Sequence, residues 1–72
     1  MNKRMLESKM KLFGDTQMIL ANAIGISTSR FSAKINKYDG AEFTQSEINA
    51  IKDRYKLSAK EVDTIFFTTQ VS

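Results

Sequence analysis

Residues 16–36 read TQMILANAIGISTSRFSAKIN, and this stretch decides the fold. Thr16 is an N-cap candidate, because its short side-chain oxygen can accept a backbone N–H that a first helical turn leaves unpaired. Leu20, Ala21 and Ile24 then recur at helical spacing and make an inner stripe. Gly25 breaks the pattern and supplies a turn, since glycine accepts the left-handed conformation cheaply. Ser27 caps a second helix. Ile26 before the cap and Phe31 after it form a hydrophobic staple, and Phe31 and Ile35 face the core. That helix ends near Asn36.

The same signals repeat on either side. Upstream, Leu6, Met10 and Phe13 recur at helical spacing over residues 3–13, flanked by Met5 and Leu12, with Gly14 as the C-cap candidate. Downstream, residues 37–42 form a loop with an Asp39-Gly40 turn signal. Thr44-Gln45-Ser46-Glu47 and Ser58-Ala59-Lys60-Glu61 are two capping boxes, with Phe43/Ile48 and Leu57/Val62 as their staples. Ile48, Ile51 and Tyr55 are the inner stripe of the fourth helix; Ile65, Phe66 and Phe67 anchor the fifth. Each box contributes about 1 kcal/mol. The expectation is an all-α, five-helix domain over residues 1–72, with a polar, β-branched tail at 68–72.

Composition bounds the function. The 72 residues weigh 8.2 kDa, enough for one small core. A chain of this size buries about 60% of the surface its unfolded form exposes. There is no Cys and no His. Disulfide scaffolds, Cys-ligated zinc and the common nucleophile–base pairs are therefore excluded, and no catalytic residue, cofactor or metal is expected. Asp39, Glu42 and Glu47 do not have the spacing of a Ca²⁺ loop. Apolar runs are too short to span a membrane, and Lys3-Arg4 is not followed by a signal-peptide core. A cytoplasmic binding module is the expectation, not an enzyme acting on a small molecule.

Charge is uneven. Residues 1–38 carry seven basic side chains against Glu7 and Asp15, a net +5. Residues 39–72 carry four against six acidic ones, a net −2. The asymmetry points a polyanion or an acidic partner at the N-terminal half, against the plainer reading of a solvated surface. The short Gly25 turn between two amphipathic helices, with small Ala21 where they cross, is the pattern of a helix-turn-helix, in which the second helix is offered to the DNA major groove.

With Gln17, Ala21 and Gly25 in a Gln-x3-Ala-x3-Gly spacing, the chain resembles the five-helix phage repressor and Cro family over nearly all of its length. Its length, the DGAEFT loop and the VDTIFF ending look closest to the MOR-type modulators, or anti-repressors, of lactic-acid-bacterial temperate phages. The resemblance implies a regulator of the lysis–lysogeny switch that acts through operator DNA, through a CI-type repressor, or both. It implies DNA contacts from Gln17 on the second helix and from Thr28, Ser29, Arg30, Ser32, Ala33 and Lys34 on the third. Arg30 can pair with guanine or phosphate, and Thr28 and Ala33 can meet a thymine methyl.

Departures from that family are informative. The first turn of the third helix has no Gln or Asn for adenine. The two positions after Gln17, charged in the family, are Met18 and Ile19, and Asn22 and Ala23 continue the same outward face. No charged residue stands between Thr16 and Ser29. An uncharged outer face with Met and Ile reads as a protein contact, so Met18, Ile19, Asn22 and Ala23 are the candidate partner-binding residues. The alternative is a Cro-like repressor that binds its operator alone as a homodimer. Met5 and Met10 read as core filling, and Tyr38 as cover for its loop.

Overall fold

The computed structural model describes residues 1–37 and 42–67. It is all-helical, with no strand among the described residues. Five α-helices follow in order: α1 Lys3–Leu12, α2 Gln17–Ile24, α3 Thr28–Asn36, α4 Gln45–Tyr55 and α5 Ala59–Val62. The last continues as a π-helical turn, Asp63–Phe67. The Asp39-Gly40 turn, Tyr38 and the 68–72 tail lie outside the described residues. The Cα radius of gyration is 11.2 Å, the value expected of a packed chain of this length.

Short polar side chains start every helix. Thr16 Oγ1 accepts the Ile19 N–H at 3.2 Å, Ser27 Oγ that of Arg30 at 3.1 Å, and Asn2 Oδ1 that of Met5 at 3.1 Å. Both expected capping boxes form. Glu47 accepts the Thr44 N–H at 2.9 Å, and Glu61 that of Ser58 at 3.0 Å.

The helix ends share a second device. After α2, the Ile26 N–H reaches back to the Ala21 carbonyl and the Gly25 N–H to that of Asn22, the paired bonds of a Schellman ending. Gly25 makes them at φ +82, where a side chain would be strained. The same pair of bonds closes α4 through Lys56, which takes φ 52 without being glycine.

The core is the expected set of stripes meeting in the middle. Leu6, Leu20, Phe31, Ile51 and Ile65 are its largest fully buried side chains, joined by Met10, Ala21, Ile35, Ile48, Tyr55, Leu57 and Val62. Phe43 bridges Phe31 and Phe66 edge-to-face, with ring centroids 5.6 and 5.8 Å apart. Two expected positions differ. Phe13 caps α1 and is half exposed, its ring tilted on Tyr55 at 4.9 Å. Phe67 is 58% exposed and is no anchor, because the wider π turn advances each residue through a smaller angle and carries it off the inner face.

Ion pairs fasten the helices. The largest constellation centres on Asp15, between α1 and α2. Arg54 grips its carboxylate from Nε and Nη2, both at 2.7 Å, and the Tyr55 hydroxyl donates to Oδ2 at 2.7 Å. These donors, Arg54 foremost, hold the Asp15 carboxyl below its usual range. Burial first, and then the adjacent Asp15 charge, raise the Tyr55 phenol above its ordinary value. Lys9 pairs with Glu61 at 2.7 Å and ties α1 to α5.

Candidate partner- and DNA-binding face

Helix α2 buries Leu20 and Ala21, packs Ile24 half-buried against the core, and turns Met18, Ile19, Asn22 and Ala23 to solvent. Met18 is 66% exposed and Ile19 42%, while Asn22 and Ala23 are also exposed. Gln17, at the first helical position, is half-buried. The helix has no acidic side chain in its first turn and no basic one in its last. The carboxylate nearest its N-terminal amides is Asp15, before the Thr16 cap, and that group is taken up by Arg54 and Tyr55.

The exposed face is not flat. Met18, Ile19 and Asn22 of α2 line a groove with Ile26, Ser27 and Thr28 of the turn and the start of α3. Its lining mixes apolar side chains, Met18, Ile19 and Ile26, with the hydroxyls of Ser27 and Thr28. Three of the four residues expected to meet a protein partner and one expected to meet DNA, Thr28, therefore share one depression. The sequence placed these residues on two separate faces; the Schellman turn at Gly25 brings them together by folding the start of α3 back beside α2.

Helix α3 divides in two. Its first turn, Thr28, Ser29 and Arg30, is exposed, and Arg30 makes no ion pair among the described residues. Ser32, Ala33 and Lys34 are half-buried. The Asn36 amide donates to the Ser32 carbonyl at 2.9 Å and to its hydroxyl at 3.4 Å, while Asn36 Oδ1 accepts from Lys3 Nζ at 2.6 Å. Ser32 thus sits in a small network that docks α3 on α1.

Lys34 is engaged differently from its expected role as a DNA contact. Its ammonium lies 2.6 and 2.8 Å from the two Glu47 oxygens, with side chains only 15% and 11% exposed. Burial pushes the Glu47 carboxyl up, but Lys34 and the Thr44 amide outweigh it, and the group ends below its ordinary value. Sequence reasoning took Glu47 as a cap, having set it aside as a Ca²⁺ ligand. Nothing local joins residues 34 and 47, which stand 13 apart in the chain.

The basic half is also less uniform than its charge. Lys3, Lys9 and Lys34 are spent on Asn36, Glu61 and Glu47. Arg4, Lys11, Arg30 and Lys37 are exposed. Among the described residues no group of three potential metal ligands comes together, and no buried polar side-chain atom lacks a partner. None of the described helices is long and apolar enough to cross a membrane. No family model, curated protein or solved structure matches the chain.

Proposed function

We propose that the chain is a helix-turn-helix regulator of the phage type that works by forming a complex with a CI-type repressor, with joint binding of operator DNA. Its work is binding and not catalysis, in the cytoplasm of a bacterial host. The observation that carries this reading is the bare α2 face: Met18 and Ile19 exposed on a helix without charge, beside a groove that runs to Thr28. Water solvates charge and not methyl groups, so such a face gains free energy when a partner covers it. The gross gain is about 25 cal/mol per Å² of apolar area, less the cost of association. The resemblance of the length, the DGAEFT loop and the VDTIFF ending to anti-repressor modulators suggests the kind of partner, and the exposed Thr28-Ser29-Arg30 turn supports a contact with DNA.

The test separates the two surfaces. Met18→Glu with Ile19→Lys changes only exposed positions, so the domain stays folded while its complex with the cognate repressor is lost in a calorimetric titration. A double variant that binds the repressor as tightly as the parent overturns the assignment. A gel shift on candidate operator DNA, with and without the repressor, tests joint binding. The exposed Arg30 favours the second reading, an autonomous Cro-like homodimer. In that case the protein alone shifts the operator as a dimer, and Arg30→Ala weakens it by about 1–3 kcal/mol.

A further inference from the structure

We infer that Lys34 is an internal strut and that Glu47 is the residue that positions α3 through it, so that Arg30 is the one cation of α3 presented to a polyanion. The inference deepens the reading above and rests on α3 facing DNA. Helix α3 contains two cations, Arg30 and Lys34, one helical turn apart. By sequence both belong to the reading helix. Their surroundings separate them: Arg30 is exposed, whereas Lys34 is pressed between α3 and the start of α4.

The geometry makes the pair difficult to open. One ammonium sits between both oxygens of one carboxylate, at 2.6 and 2.8 Å. The carboxylate cannot swing out after a departing lysine, because Oε1 also accepts the Thr44 N–H at 2.9 Å as half of the capping box. Its place in the first turn of α4 adds the positive end of the helix dipole. Moving Lys34 to a phosphate would leave a nearly buried carboxylate without its cation, which is the costly way to break such a pair. Phe31 and Ile35, buried on either side of Lys34 in the chain, hold that stretch of α3 toward the core. Glu47 thus caps the start of α4 with one oxygen and, with both, holds α3 against it through Lys34.

The consequence is a countable charge. Each phosphate neutralised on duplex DNA steepens the fall of log affinity with log salt by about 0.9, the slope being the magnitude of that fall. Amine acylation followed by mass spectrometry, and salt titrations on a short mixed-sequence duplex, read the two halves of the inference. In the free parent, Lys34 acylates several-fold more slowly than the exposed Lys11 and Lys37, and Glu47→Gln raises it to their rate. On the duplex, Lys34→Met, which keeps the aliphatic stem, leaves the salt slope of the parent unchanged, and Arg30→Ala lowers it by about 0.9. Glu47→Gln steepens it by about the same amount, as the released lysine finds a phosphate; a purely structural residue would not move the slope upward. Lys34 acylating as fast as Lys11, or Lys34→Met lowering the slope by about 0.9, overturns the inference. If Glu47→Gln unfolds by circular dichroism, the Lys34→Met slope and the parent acylation rates still decide. A parent that does not bind the duplex at low salt defeats the DNA reading of α3, while the acylation rates still decide whether Lys34 is a strut.

Discussion

Helices α2 and α4 bury similar inner stripes and are otherwise opposites. Leu20 and Ala21 anchor one; Ile48, Ile51 and Tyr55 anchor the other. Around its stripe, α4 is tied by polar contacts at both ends. Glu47 holds Lys34 and the Thr44 amide, and Arg54 and Tyr55 hold Asp15. Helix α2 has the Thr16 cap, the Gly25 turn and no ion pair. Its outer face contributes little to the fold, so the residues there are free to serve something else. A helix dressed with ion pairs and a helix left bare, in one small domain, separate the positions that hold the structure from the positions available for binding.

The largest effects should be the same in both helices, because both rest on burial. Leu20→Ala and Ile51→Ala should each cost about 2–5 kcal/mol, read as a shift of the urea midpoint. In a domain whose total stability is about 5–15 kcal/mol, either variant approaches unfolding. A loss under 1 kcal/mol at Leu20 would mean α2 is not held by its inner stripe.

Acid should then separate the polar half from the bare half. The Asp15 and Glu47 carboxyls titrate below their unfolded values near 4. A group whose folded pKa is depressed contributes stability that is present above its unfolded pKa and is lost as pH falls through the folded one. The melting temperature should therefore hold from pH 7 to about 5 and fall from pH 4 downward. Asp15→Asn should lower it at pH 7 and flatten part of that descent. A profile identical to the parent's in slope would remove Asp15 from the account.

Caps come next. Thr44→Ala should cost about 1 kcal/mol, as should Ser58→Ala, since each removes one half of a reciprocal box. Thr16→Ala removes a single bond and should sit near the lower end, about 0.5 kcal/mol. The ranking inverts if α2 depends on its polar start more than α4 does. The smallest effect on stability belongs to Met18→Glu with Ile19→Lys. The pair should melt within about 0.5 kcal/mol of the parent, as surface substitutions do.

What was legible in the sequence was what is local. Thr16, Ser27, Thr44 and Ser58 declare themselves as caps within three residues, and each stripe declares its face within one turn. The outward position of Met18 and Ile19 followed from the same periodicity. Contacts between distant residues were not legible. Asp15 and Arg54 are 39 apart, Lys34 and Glu47 13 apart, and any acid and base can be imagined to meet. The left-handed Lys37 and Lys56 were hidden because lysine carries no mark of that conformation. The π turn that exposes Phe67 was hidden too, since it begins inside an ordinary capped helix.

The grip of Arg54 on Asp15 has a consequence for motion. It joins residues 39 apart in the chain and so closes a loop, with α2, α3 and most of α4 between them. Opening α2 alone breaks few polar bonds, but opening it together with the base of the loop must release two charged contacts and the Tyr55 hydroxyl. Local openings of different sizes therefore have different thresholds. Backbone amides of α2 should exchange with deuterium through small fluctuations, ahead of those of α4, whose exchange waits for the whole loop to come apart. A partner that settles on the bare face should then be read first as slowed exchange at Leu20 and Ala21.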